Sequence, residues 1–148
     1  MAVLDYIVPG YKGYRERSES RETDKLLRDY LSKQLAEDAG KLEQAKADLS
    51  HSGNLAALNP ADQCSKVMMK VRDRLKFANY GFHDGLFGSK AETNMLKQVE
   101  EYDKGLVDDR EAVRAQVQEI ENVLMEGGNV VPEFQKLTRK LREFDDKL

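Results

Sequence analysis

Four stretches of this chain place an apolar residue at every third or fourth position, and a chain so patterned buries itself by packing helices. In the first, from about Ser18 to Ser50, Leu31, Leu35, Leu42, Ala45 and Leu49 advance in steps that stay on one stripe; Asp38 falls on the same stripe and interrupts it midway. Cys64, Met68, Val71, Leu75 and Ala78 form a second stripe. Val99, Leu106, Val113, Val117, Ile120 and Leu124 form a heptad-like third, broken by Asp103 and Arg110. Phe134, Leu137, Leu141, Phe144 and Leu148 line the fourth. Alternation of strand type is missing beyond the short pairs Ile7-Val8 and Val130-Val131. The expected fold class is all-α.

Turn and cap residues divide the stripes. Ser52-Gly53-Asn54 is a stop for the first helix, and Asn59-Pro60 reads as an N-cap followed by proline at the first helical position of the second. Ser89 with Glu92 three residues on makes a capping box for the third, which runs to Glu126 before Gly127-Gly128. At 1.5 Å per residue that helix is roughly 55 Å long. Gly105 weakens it by about 1 kcal/mol relative to alanine and marks a place for a kink. Pro132 stands near the start of the last helix. The division is a leader, residues 1–17, and one bundle domain, 18–148: an elongated antiparallel bundle of about four helices of unequal length. Charge suggests a pairing within it. The second helix is basic, and the third carries Glu100, Glu101, Asp103, Asp108, Asp109 and Glu111, so the two are expected side by side.

Composition narrows the function classes. A net charge of -3 argues against a dedicated nucleic-acid binder. The single Cys64 has no partner for an intramolecular disulfide and reads as a small packing residue. Together with the lack of any run of about 18 apolar residues, and an N-terminus too short and too acidic for a signal peptide, this leads to an expected cytoplasmic location. His51 and His83 are the only histidines; neither follows a glutamate three residues earlier, so a di-iron or zinc site is not expected, nor any cofactor. Neither glycine-rich phosphate motif occurs.

Two segments stand apart from the helical pattern. Tyr80-Gly81-Phe82-His83-Asp84-Gly85-Leu86-Phe87-Gly88 is richer in glycine and aromatic residues than a helix connector needs. Packing of Phe82 and Phe87 into the bundle end is the plainer expectation, recognition of a partner the sharper one, and ligand binding by His83 and Asp84 a third. In the leader, Tyr11 and Tyr14 alternate with basic residues before Glu16 and Glu19 dilute the patch. The Gly-Tyr-Lys-Gly-Tyr-Arg-Glu stretch at 10–16, the Thr23-Asp24-Lys25-Leu26-Leu27-Arg28 run and the Tyr80-Gly81 loop resemble a group of small helical bacterial proteins of unassigned function. That resemblance covers most of the chain and implies a helical fold without assigning an activity or a site.

With no catalytic constellation and long amphipathic helices, the expected function is a non-enzymatic scaffold or adaptor. It would act through protein–protein contacts and self-association as a homo-oligomer, with Tyr11, Tyr14, Phe82, His83 and Phe87 as candidate interaction residues. The alternatives are a peripheral membrane protein anchored by residues 1–14, and a small-ligand binder or enzyme at the 80–90 glycine loop. An interfacial anchor normally carries lysine and arginine on its polar face, whereas Asp5 is the only charge before Lys12, which disfavours the membrane.

Overall fold

The computed structural model describes residues 20–77 and 92–148, and the side chains of 24–77 and 101–148. They form four helices: α1, Ser20–His51; α2, Leu55–Lys76; α3, Glu92–Met125; and α4, Val131–Asp146. The chain is all-α, with no strand among the described residues.

The two short connections are closed by the same chemistry. After α1, Gly53 takes φ +76°, the Asn54 amide donates to the Leu49 carbonyl, and the Gly53 amide to that of Ser50. After α3, Gly127 takes φ +73°, with Gly128 donating to Val123 and Gly127 to Leu124. Both are left-handed glycine caps of the Schellman kind, and glycine adopts that conformation without a Cβ penalty. Asn54 serves both helices, because its side-chain oxygen also accepts from the Ala57 amide and caps α2. Here the sequence expectation needs correcting: α2 starts at Leu55 rather than after Asn59. The effective cap was hidden inside the stop signal of α1. Pro60 consequently sits within α2, where Ala56 has no amide four residues on to accept.

Helix α3 passes unbroken through Gly105, where a Cβ would meet nothing within 4 Å. Gly105→Ala is therefore expected to raise stability by about 0.5–1 kcal/mol, through helix propensity and the smaller freedom of the unfolded chain. Paired urea melts check it; a loss of stability would show that this stretch needs the glycine.

The stripes meet in one core that includes Leu31, Leu42, Met68, Leu75, Leu106, Ile120, Phe134 and Phe144, all 1 % exposed or less. Around it α1 packs on α2, α2 on α4, α4 on α3, and α3 back on α1. Helices α2 and α3 thus stand at opposite corners, contrary to the apposition their charges suggested. Exposed charge pairs are too weak to set helix order, and the apolar stripes of α2 and α4 decide it. The two hairpins are antiparallel pairs. Across them the neighbours run parallel: Tyr102 lies by Arg28 and Arg114 by Glu37 between α3 and α1, while Thr138 lies by Cys64 and Asp145 by Arg74 between α4 and α2. The starts of α1 and α3 accordingly lie toward the same end as Phe77 and Leu148 and extend past them, and the two glycine turns share the other end.

Candidate functional site

Along the outside of the α1–α2 hairpin runs an open groove of about 1000 Å³. Glu43 and Lys46 of α1 face Asp62, Ser65 and Lys66 of α2 at one end; Lys70, Arg74 and Phe77 border the other, with Leu148 beside them. The core residues of α2 recur at Ala61, Cys64, Met68, Val71 and Leu75. Positions 62, 66, 69, 70, 73 and 77 therefore fall on the opposite side of the helix and remain available.

Ion pairs organise the rim. Asp62 receives both Lys46, at 3.0 Å, and Lys66, at 2.9 Å. Glu43 accepts from the Ser65 hydroxyl at 2.7 Å and from Lys46 at 3.2 Å. Asp145, reaching over from α4, takes Arg74 at 2.7 Å and Lys70 at 3.4 Å. The hydrogen bond from Ser65, then Lys46, holds the Glu43 carboxyl below its ordinary value. Lys66 and Lys46 do the same for Asp62, while Asp62 and Glu43 raise Lys46. At Asp145 partial burial pushes the other way and is outweighed by Arg74 and Lys70. Every shift in the groove favours the charged form, so none of these groups is poised to exchange a proton near neutrality.

Phe77 is 73 % exposed and Lys76 stands 5.3 Å from its ring centroid. Leu55 and Met125 are the other large apolar side chains exposed among the described residues. Among the described residues the apolar stripes are consumed inside the bundle. Helical spacing missed Phe77 as a functional candidate because it follows Leu75 by two and leaves the stripe. An off-stripe aromatic directly after Arg74 and Lys76 was the available signal.

A second polar feature lies between α1 and α3, where the stripe-breaking residues meet. Asp38 is fully buried, as nearly is Arg110 at 3 % exposure, with Arg114 reaching Asp38 at 3.6 Å and Glu37 at 3.1 Å. Neither Asp38 oxygen accepts a hydrogen bond from a protein group, and Nε and Nη2 of Arg110 donate none. Burial pushes the Asp38 carboxyl above its usual value against the pull of Arg114, Arg110 and Lys41. Toward the Phe77 end of the bundle, Arg28 bonds Asp24 at 2.9 Å beside Tyr102, whose hydroxyl donates to the Lys147 carbonyl. The Asp38–Arg110 cluster lies in the interface, whereas Arg28 also reaches the wall of the α1–α2 groove.

Cys64 is buried in the α2–α4 contact, and desolvation pushes its thiol up to about 11 despite Thr138. The thiolate is the reactive form. In native buffer at pH 7.5 Cys64 should resist a thiol-specific disulfide reagent and react only once the chain is unfolded; rapid stoichiometric labelling of folded protein would contradict the packing role.

Tyr11, Tyr14, Phe82, His83 and Phe87, with Asp84 and the Ser89 cap, lie outside the described residues. The other histidine, His51, is exposed at the end of α1. Among the described residues no group of three His, Cys, Asp or Glu side chains converges to hold a metal ion, and no helix is long and apolar enough to cross a membrane. Comparison of the chain with protein-family models, curated proteins and solved structures found no match to any of them.

Proposed function

We propose that this chain is a non-enzymatic helical adaptor that works through protein–protein contact, with the α1–α2 groove as its docking surface. The supporting observation is the meeting of an exposed aromatic, Phe77, with long cationic side chains along one rigid helix pair. Aromatic and arginine side chains are the ones that anchor protein interfaces. The paired, fully charged state of the rim suits recognition, whereas general acid–base chemistry needs a group tuned near the working pH.

Site-specific photo-crosslinking in the cells that make the protein tests this reading. A photoreactive residue at Lys66 or Phe77 should give protein adducts, while one at the exposed positions Lys33 or Arg139, outside the groove, should give few. An adduct of twice the chain mass would identify a second copy as the partner. Blank groove positions would contradict the proposal.

A further inference from the structure

We infer that the partner of this groove is an acidic amphipathic helix, seated along α2 with its acidic end over Lys70, Arg74 and Lys76. The inference rests on the docking role proposed for the groove. Helix α2 carries five cations against two carboxylates, in a chain whose net charge is -3. That excess is uneven along the groove. At the Asp62 end two lysines meet two carboxylates, Glu43 and Asp62. At the Phe77 end Lys70, Arg72 and Arg74 meet two carboxylates, Asp73 and Asp145, and Lys76, at the edge of the groove, lies over the Phe77 ring instead of on an acid. A partner with acidic groups at one end completes this arrangement, and complementary charge of that kind fixes register and speeds encounter.

The shape selects a helix. From Asp62 to Phe77 the groove follows α2 for roughly 22 Å at 1.5 Å per residue, about four helical turns. Its walls are side chains on helices, with no sheet edge to pair an extended backbone, so the occupant must satisfy its own backbone hydrogen bonds. Half-buried Met69 and exposed Phe77 give its apolar face a seat. A nucleic acid fits less well, because its charge is uniform along the backbone and would also fall on Glu43 and Asp62, 59 % and 45 % exposed at the neutral end of the groove, where a partner acidic at one end only would not.

Selection from a displayed library of 16-residue helical segments, randomised at charged and apolar positions and panned on the full chain, tests the inference. Enriched segments should be net acidic with apolar residues at i and i+3 or i+4. Their affinity should fall roughly tenfold in Lys70→Glu with Lys76→Glu and weaken as salt rises. Both lysines are exposed and Asp145 keeps Arg74 at 2.7 Å when Lys70 is replaced, so the thermal melt should fall by no more than about 4 °C, and Phe77→Ala should weaken the same segments. Enrichment of basic or neutral segments that still depend on Phe77 would overturn the acidic partner while leaving the docking role intact. Failure to enrich anything, indifference to the lysine changes, or displacement by a thymidine oligonucleotide would overturn the inference. Blank crosslinking from the groove would instead remove the docking role itself.

Discussion

Phe134→Ala is expected to lower the free energy of unfolding by about 3–5 kcal/mol, the cost of removing a fully buried ring and leaving a cavity behind. The ring belongs to α4, the shortest of the four described helices at 16 residues, whose stability comes mainly from packing its apolar face. Its apolar face is what fastens α4 to α2 and α3. A loss of that size is a large part of the 5–15 kcal/mol that typically separates folded from unfolded chains. Phe77→Ala supplies the control: the same atoms are deleted from a ring 73 % exposed, and stability should change by no more than about 0.5 kcal/mol. Urea melts of the three proteins decide it. Equal effects of the two changes would mean that Phe77 is covered or that the core is misplaced.

The second large effect belongs to the buried charges between α1 and α3. Arg110→Met removes one of the cations facing Asp38 and leaves a fully buried carboxylate with Arg114, at 3.6 Å, and Lys41 to offset its charge. Breaking a buried pair in this way costs about 3 kcal/mol or more. Asp38→Leu alone takes away the carboxylate that both arginines face, but Arg110 keeps Glu111 and Arg114 keeps Glu37, so its cost should be smaller. The double variant, with both charges replaced by apolar groups, should return to within about 1 kcal/mol of the natural chain or exceed it. The pH dependence has a definite sign. The Asp38 carboxyl lies above its ordinary value in the fold, so its contribution favours the folded state at acid pH and is lost as the pH rises through that value. Arg110→Met raises it further, and the penalty should therefore be largest at pH 7 and shrink toward pH 4. A penalty that grows on acidification, or a double variant as weak as the singles combined, would show that the two groups do not act on each other.

How legible these features were in the sequence follows from the range of the physics behind them. Local signals were read well: the glycine stops at Gly53 and Gly127, the place of Pro132 and the stripes Leu31 to Leu49 and Phe134 to Phe144 all follow from interactions within a few residues. Asp38, Asp103 and Arg110 look like flaws in their stripes, and all three are buried, with Asp38 and Arg110 acting on each other between α1 and α3. Periodicity tells which face such a residue occupies, but not what charge meets it from another helix. The order of helices was misread for a related reason: net charge along α2 and α3 is a long-range quantity that solvent screens, while the match of apolar stripes is not screened. Of the groove, the basic run Lys66, Lys70 and Arg74 was visible, but its carboxylate partner Asp145 stands 71 positions beyond Arg74. No spacing rule reaches that far.

The basic face of α2 is free for a partner only because α2 stands diagonally across from acidic α3, so the helix order is the point to test. A short bifunctional maleimide, applied to double-cysteine variants, reads it directly. Glu37→Cys with Arg114→Cys should join α1 to α3, and Lys70→Cys with Asp145→Cys should join α2 to α4, since each pair replaces side chains already in contact. Lys70→Cys with Glu111→Cys, spanning α2 and α3, should stay unlinked. Efficient linkage of that last pair, with loss of the first two, would place α2 beside α3 and contradict both the buried charge cluster and the open groove.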